Sequence, residues 1–257
     1  MTSIIRKLEK AARLLGDGRY RHGLLLGVAA TIEHAPAFVD RKLASIVDIG
    51  ANRGQFTLFM AGLYPEARIL AFEPLAQPFR KLLEVTADLS NVRAFNTAIG
   101  PGRTILPMNV SKRDDSSSLL PISTMQEEIF PNTGRARVDQ VRVAPLGDFI
   151  HDIDLEPPSL LKIDVQGFEL EVLKGSADYL EHFALIYVEA SFLQLYDGQP
   201  LASDIVDYLH ERGFRLGGIY NLSQMRNGQA VQADFLFDRR AGNDTVLGSE
   251  PRRHTEG

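Results

Sequence analysis

The chain has no cysteine, no tryptophan, no apolar run of bilayer width and no surplus of positive charge. The first absence removes disulfides, thiolate metal sites and cysteine nucleophiles together, and leaves redox compartment unreadable from thiols. No segment approaches the roughly 20 apolar residues that span a bilayer. The start Met1-Thr2-Ser3-Ile4-Ile5-Arg6-Lys7 lacks the sustained apolar core of a signal peptide, so a cytosolic location is expected. A net charge of -5 argues against non-specific binding to nucleic acid, which needs a positive surface to release counterions from phosphates. What is there is ordinary: 257 residues, 44% hydrophobic and 24% charged, enough for one large buried core and unlike a disordered or fibrous chain.

Residues 1–40 place Ile5, Leu8, Ala12 and Leu15, then Leu24 to Ala30, at helical spacing with Arg and Lys between them. The spacing predicts two or three short helices, serving either as a cap over a pocket or as an extension packed on the sheet. From Ser45 the pattern becomes short apolar runs alternating with helix-like stretches, the form of a parallel sheet covered on both faces. Strands are expected near 46–49, 69–73, 92–96, 160–164, 184–190, 215–220 and 231–237, and helices near 54–63, 75–87, 168–174 and 201–212. Residues 103–148 fit poorly. Pro107, Pro121, Pro131 and Pro145 interrupt them and Arg113-Asp114-Asp115-Ser116-Ser117-Ser118 reads as loop, so this stretch is expected as an insertion beside the active face. The main domain is placed at 41–240. The polar tail 241–257, with no apolar period, is expected to be mobile.

The most informative segment is Ile46-Val47-Asp48-Ile49 running into Gly50-Ala51-Asn52-Arg53-Gly54 and then an amphipathic stretch with Gln55, Phe56, Leu58, Phe59 and Leu63. Glycines there let a ligand approach the backbone at a helix N-terminus. About twenty residues on, Ile69-Leu70-Ala71-Phe72 ends in Glu73-Pro74, putting a carboxylate at the sheet's carboxyl edge where it can accept both ribose hydroxyl protons. A nicotinamide dinucleotide would use such a carboxylate as readily as S-adenosylmethionine (SAM). The glycine spacing separates them: dinucleotide sites favour G-x-G-x-x-G, whereas Asp48-x-Gly50-x-Asn52-x-Gly54 resembles the first motif of class I methyltransferases. At the other end, Phe214–Tyr220 and Val231–Phe237 are joined by a short segment containing Asn227-Gly228, too close for a helical crossover and therefore an antiparallel hairpin. Class I methyltransferases end in such a hairpin. Asn96-Thr97-Ala98 follows the third strand beside the same crevice, where Asn96 would either reach the adenine or ribose edge or form the strand-end turn.

With these segments placed, the chain resembles the FkbM family of methyltransferases. The resemblance rests on Val47–Phe56, on Ala71-Phe72-Glu73-Pro74, on Leu161-Lys162-Ile163-Asp164-Val165-Gln166-Gly167-Phe168-Glu169 with Val172-Leu173-Lys174-Gly175, and on Tyr187-Val188-Glu189. It covers roughly residues 45–237, with Gln166 standing where many members have Glu. It implies a Rossmann-like class I methyltransferase fold: an α/β, mostly parallel seven-stranded sheet with a C-terminal antiparallel hairpin. It further implies SAM as methyl donor and, commonly, O-methylation of sugars in glycans, glycolipids or glycosylated natural products.

An alcohol is a poor nucleophile until deprotonated, so an O-methyl acceptor needs a base or a metal beside it. Asp164 and Glu189, expected at the carboxyl ends of the fourth and fifth strands, are the leading acceptor-side pair. One carboxylate would act as general base, or both would hold a hard divalent cation such as Mg²⁺. Helix capping or pairing with Lys162 is the bland reading of either. Glu169 and Glu171 read as first-turn helix residues, and Asp115–Ser118 as sugar-binding or solvated loop. His34 is an alternative base if the N-terminal region folds over the pocket. The fourth strand lacks the Asn/Asp-Pro-Pro-aromatic motif of enzymes that methylate amide or base nitrogens, which favours oxygen. Tyr187, Phe192, Tyr196 and Tyr220 are aromatic faces for a sugar, or core. An NAD(P)-dependent oxidoreductase and a SAM-binding module without chemistry are the competing readings.

Overall fold

The computed structural model describes residues 14–151 and 154–240. The expected helical positions Ile5, Leu8 and Ala12 and the tail 241–257 lie outside the described residues. Seven strands form one sheet: β1 (Ser45–Ile49), β2 (Arg68–Phe72), β3 (Val92–Phe95), β7 (Ser159–Ile163), β8 (Leu185–Ser191), β9 (Phe214–Gln224) and β10 (Ala230–Arg239). Their order is β3-β2-β1-β7-β8-β10-β9; the first five run parallel, and β10 and β9 form the antiparallel hairpin. This is the parallel sheet that the strand alternation predicts, in the Rossmann-like arrangement that the resemblance implies, with the chain reversing its direction of travel between β1 and β7. Such a switch point opens a crevice at the carboxyl ends of the strands.

The strands at the centre are buried throughout, as they must be with helices on both faces. On one side Val47, Ile49, Leu161, Ile163, Ile186 and Val188 pack against α5 (Glu169–Gly175) and α6 (Ala202–Glu211). On the other, α2 (Gln55–Leu63) packs Phe56, Phe59 and Met60 against Ile46, Ile69 and Tyr187. Phe38, Phe56 and Tyr187 meet there at ring separations of 5.2 to 6.2 Å, each contact adding about 1 kcal/mol beyond its buried area. The N-terminal region packs on α2. Its helix α1 (Gly18–Leu25) is capped by Asp17 and lays Tyr20 on α2, where the phenol donates to Phe59 O at 3.0 Å. The following 3₁₀ turns, Ile32–Phe38, cross the end of α2, with Thr31 N donating to Gln55 O.

The poorly patterned stretch contains more structure than its prolines suggest. After β4 (Ala98–Ile99), strands β5 (Thr104–Ser111) and β6 (Arg135–Ala144) pair antiparallel, giving a second sheet of order β4-β6-β5. Pro107 is tolerated because β5 is the edge strand, where a missing N–H costs no ladder bond on the solvent side. Pro121 and Pro131 flank the short helix α4 (Thr124–Ile129), and Pro145 precedes the 3₁₀ turn Leu146–Asp148. The insertion closes on itself: Gly100 N donates to Ala144 O at 3.1 Å. The remaining helix, α3 (Ala76–Val85), follows β2. No helix among the described residues is long and apolar enough to cross a membrane.

Candidate active site

A cavity of about 250 Å³ opens at the carboxyl ends of β1, β2 and β7. Its floor is the turn after β1. Gly50 has φ +79°, and a Cβ there would lie 1.8 Å from the Asp164 carbonyl, so only glycine lets the β1 and β7 ends approach this closely. Asn52 also takes a left-handed φ, +49°, and its N–H donates to Glu73 Oε2 at 3.0 Å. Glu73 Oε1 accepts from Leu75 N at 2.8 Å. Two backbone donors thus fix the Glu73 carboxylate against the cavity wall, with both oxygens belonging to a group that can accept about four hydrogen bonds.

Of the expected cofactor residues, Gly50, Ala51, Asn52, Gln55, Phe56, Glu73, Pro74 and Ala98 line the cavity, and Asp48, Gly54 and Asn96 do not. Asp48 lies beneath it, fully buried, accepting from Thr57 Oγ1 at 2.7 Å and pairing with Lys162 Nζ at 3.0 Å. Gly54 starts α2 at φ +93°, pressed against Leu82 and Val85. The Asn96 amide is turned back onto the carbonyls of Glu73 and Pro74, 2.9 Å from each. It shapes the turn carrying Glu73 and does not reach the cavity, so of its two expected roles the turn is the one in place. Thr97 and Ile99, from the segment expected beside the crevice, and Phe168 and Val172, from the block around Asp164, also line the wall, as do Thr31, Met108 and Leu119, of which motif spacing gave no sign.

Lys162 enters from β7, directly opposite Asp48 in the β1–β7 register. Burial works against its ammonium, yet Asp48 and Asp164 hold its pKa above the ordinary lysine value. Its Nζ also donates to Gly50 O at 3.0 Å, tying the charge pair to the glycine turn. Its position one residue before the end of β7, matching Asp48 in β1 and two residues before Asp164, was the available signal, since residues i and i+2 share a face of a strand.

Asp164 and Glu189 do converge, in a second cleft of about 260 Å³ that shares Asp115, Asp164 and Gln166 with the cavity. Between them sits Gln166, at φ +56°, whose Nε2 donates to Asp164 Oδ1 and to Glu189 Oε2 at 2.8 Å each. Gln232 Nε2 donates to the other Glu189 oxygen at 2.8 Å, and Tyr196 Oη donates to Gln166 Oε1 at 2.8 Å. Burial raises the Glu189 pKa well above the usual carboxylate range. Asp164, Asp234 and Glu169 add to the rise, and Lys162 opposes it. Glu169, expected as a first-turn residue, is more than that: its buried Oε1 accepts from Val165 N at 3.3 Å and Gly167 N at 2.9 Å, bracing the loop that carries Gln166. The amide bridge occupies the place where two carboxylates would share a cation. No group of three or more His, Cys, Asp or Glu suited to a metal ion forms among the described residues.

His34 reaches the cavity from the N-terminal region. Its Nδ1 lies 2.9 Å from Tyr187 Oη and 3.1 Å from Asp234 Oδ2, and Asn221 Nδ2 donates to Asp234 Oδ2 at 2.7 Å. Burial disfavours the Asp234 carboxylate, but bonds from His34, Asn221 and Tyr187 bring its pKa below the usual value. Of the expected aromatic faces, Tyr187 and Tyr196 are buried, with Tyr196 joining the carboxylate network, and Phe192 is exposed beside Phe235.

Comparison with known proteins agrees with this architecture. The family description "Methyltransferase FkbM domain" matches residues 48–216. Methyltransferase sdnD of Sordaria araneosa is 32% identical over 192 residues, covering 66% of this chain and 73% of its own. The 2-O-methyltransferase NoeI of Sinorhizobium fredii is 28% identical over 170 residues, covering 64% and 70%. The hexuronic acid methyltransferase AglP of Haloferax volcanii is 27% identical over 147 residues, covering 55% and 54%. A strand order of this kind, a glycine turn opening on a carboxylate at the end of β2, and a matched segment spanning most of the sheet together place the chain in the FkbM methyltransferase family.

Proposed function

We propose that this protein is a SAM-dependent O-methyltransferase acting on a sugar hydroxyl of a glycan, glycolipid or glycosylated natural product. The observation that carries the reading is Glu189: a buried carboxylate of raised pKa, held by two amides, in a cleft that adjoins a nucleotide-sized cavity. The cavity suits the cofactor. Glu73 accepts the ribose hydroxyls, and Ala98, Ile99 and Met108 offer an apolar wall for the adenine. When bound, SAM supplies an electrophilic methyl group on a sulfonium.

The chain's own residues do the rest. Asp164, Gln166 and the loop braced by Glu169 orient the acceptor hydroxyl toward the shared boundary of cavity and cleft. Glu189 would accept the proton that the acceptor hydroxyl gives up, while the glycine turn and Glu73 would hold the cofactor that supplies the methyl group. The proton then passes to solvent. A carboxylate whose pKa is raised by burial and by neighbouring carboxylates is a stronger base than an ordinary one, which suits this task. The relatives described as a 2-O-methyltransferase and a hexuronic acid methyltransferase support a carbohydrate acceptor.

The test pairs calorimetric titration of S-adenosylhomocysteine with mass spectrometry of surface and lipid-linked glycans from cells with and without the protein. Expected are binding of the nucleoside and a difference of one CH₂ unit on a sugar. Binding without any such change in an oxygen-bearing metabolite would sink the acceptor assignment. Methyl transfer that survives in both Asp164→Ala and Glu189→Ala would sink the catalytic one.

A further inference from the structure

The cavity has two unlike ends, and Glu73 touches both. Its Oε1 is bonded to Leu75, which packs with Met108 and Leu119; its Oε2 is bonded to Asn52, in the turn that leads into Gln55. Thr31 belongs to that second end because its N–H donates to Gln55 O at 3.3 Å. His34 belongs there too, its ring standing edge-on to Phe56 at 5.3 Å. A nucleoside anchored by its ribose on Glu73 would point its base to the apolar end and its 5′ substituent to the polar one.

That polar end is short of partners. Thr31 Oγ1 and Asn52 Oδ1 are buried with no hydrogen-bond partner, a condition that is costly and rare in a folded interior. His34 is engaged from behind through Nδ1 by Tyr187 and Asp234, which leaves the Nε2 edge of its ring for a ligand. An acceptor oxygen, a hydroxyl and an imidazole are what a zwitterion requires. Its ammonium needs an acceptor and its carboxylate needs donors.

We infer that Thr31, His34 and Asn52 hold the α-amino-acid end of SAM, so that a segment N-terminal to the matched domain completes the cofactor site. This rests on the cofactor reading proposed above. The SAM ammonium donates to Asn52 Oδ1, and its carboxylate accepts from the Thr31 hydroxyl and lies against the Nε2 edge of His34. The two chain segments are already joined through the Thr31–Gln55 backbone bond, so ligand binding ties the N-terminal region to the glycine turn.

The experiment compares two ligands by calorimetry on the full chain: S-adenosylhomocysteine, and 5′-methylthioadenosine, which keeps adenine, ribose and sulfur but lacks the amino-acid end. Thr31→Val and His34→Ala should each weaken the first by about tenfold, equivalent to about 1.4 kcal/mol, and leave the second within about twofold. The two variants test separate contacts, so a folding failure in one leaves the other to decide. Equal losses for both ligands would mean that these residues only support the fold, and would overturn the inference. Unchanged affinity for both with methyl transfer abolished would overturn it as well, by moving His34 to the acceptor side. If the wild-type protein binds neither ligand, the cofactor reading itself fails and the inference falls with it.

Discussion

The ends of β1 and β2 and the ends of β7 and β8 lie side by side on one sheet edge, yet they are built from different materials. The first is mostly backbone: left-handed Gly50 and Asn52, close approach to Asp164, and one carboxylate pinned by two N–H groups. The second is a crowd of side chains, Lys162, Asp164, Gln166, Glu169 and Glu189, whose charges shift one another. A backbone-built region tolerates little change of shape but is indifferent to pH. A side-chain network tolerates changes of shape and answers to every change of charge.

The hardest test of that contrast is Gly50→Ala. A Cβ 1.8 Å from the Asp164 carbonyl, at a φ of +79°, should remove more than about 3 kcal/mol of stability. Urea unfolding would measure this, and a near-wild-type variant would break the claim that backbone proximity builds this region. Glu189→Gln should do the reverse. The fold and nucleoside affinity stay, while the rate of methyl transfer falls about 10²- to 10⁴-fold for want of a base, as single-turnover kinetics would show. Glu73→Gln should weaken S-adenosylhomocysteine binding by about 10- to 100-fold in titration calorimetry, the scale of a lost charge-assisted hydrogen bond.

Two smaller effects depend on pH. Glu169 is pushed up from 4.5 to about 7, chiefly by burial. A carboxyl of raised pKa binds more protons folded than unfolded between those values, so it lowers stability as pH rises through that window. Glu169→Gln should therefore lose less in Tm than the wild type between about pH 5 and about pH 8, as differential scanning calorimetry would record. Asp164→Asn removes a neighbour that raises the Glu189 pKa. If ionised Glu189 is the base, the acid limb of the kcat/KM profile should move to lower pH. An unmoved limb would detach the two carboxylates from each other.

The same contrast explains what could be read in the sequence. The seven strands and the helices after β1, β2, β7 and β8 follow from alternating apolar runs. The glycine turn and Glu73 follow from spacing, because backbone geometry restricts which residues can stand there. Asn96 stayed open between two roles because its place in the chain cannot show which way its amide turns. The convergence of Asp164 and Glu189 was legible from strand ends, but their bridge was not: Gln166 and Gln232 come from a loop and from β10, and nothing local to either marks them as partners. The small sheet was hidden by Pro107, which sits acceptably only because β5 turns out to be an edge strand. Thr31 carries no pattern at all and His34 was legible only as a candidate base, both being placed by the packing of the N-terminal region on α2.

The bond from Gly100 to Ala144 bears on how this scaffold could be given a new specificity. The roughly forty residues between those points leave and rejoin the sheet at almost one spot, and they supply Met108, Asp115, Ser117 and Leu119 to the cavity wall and Arg113, Ser116, Gln126 and Phe130 to the adjoining cleft. A loop with touching ends can be exchanged for another of different length at a cost that grows only slowly with size. In engineering terms it is a cassette, one whose exchange would alter what enters the cleft without redrawing Glu73, Lys162 or Glu189.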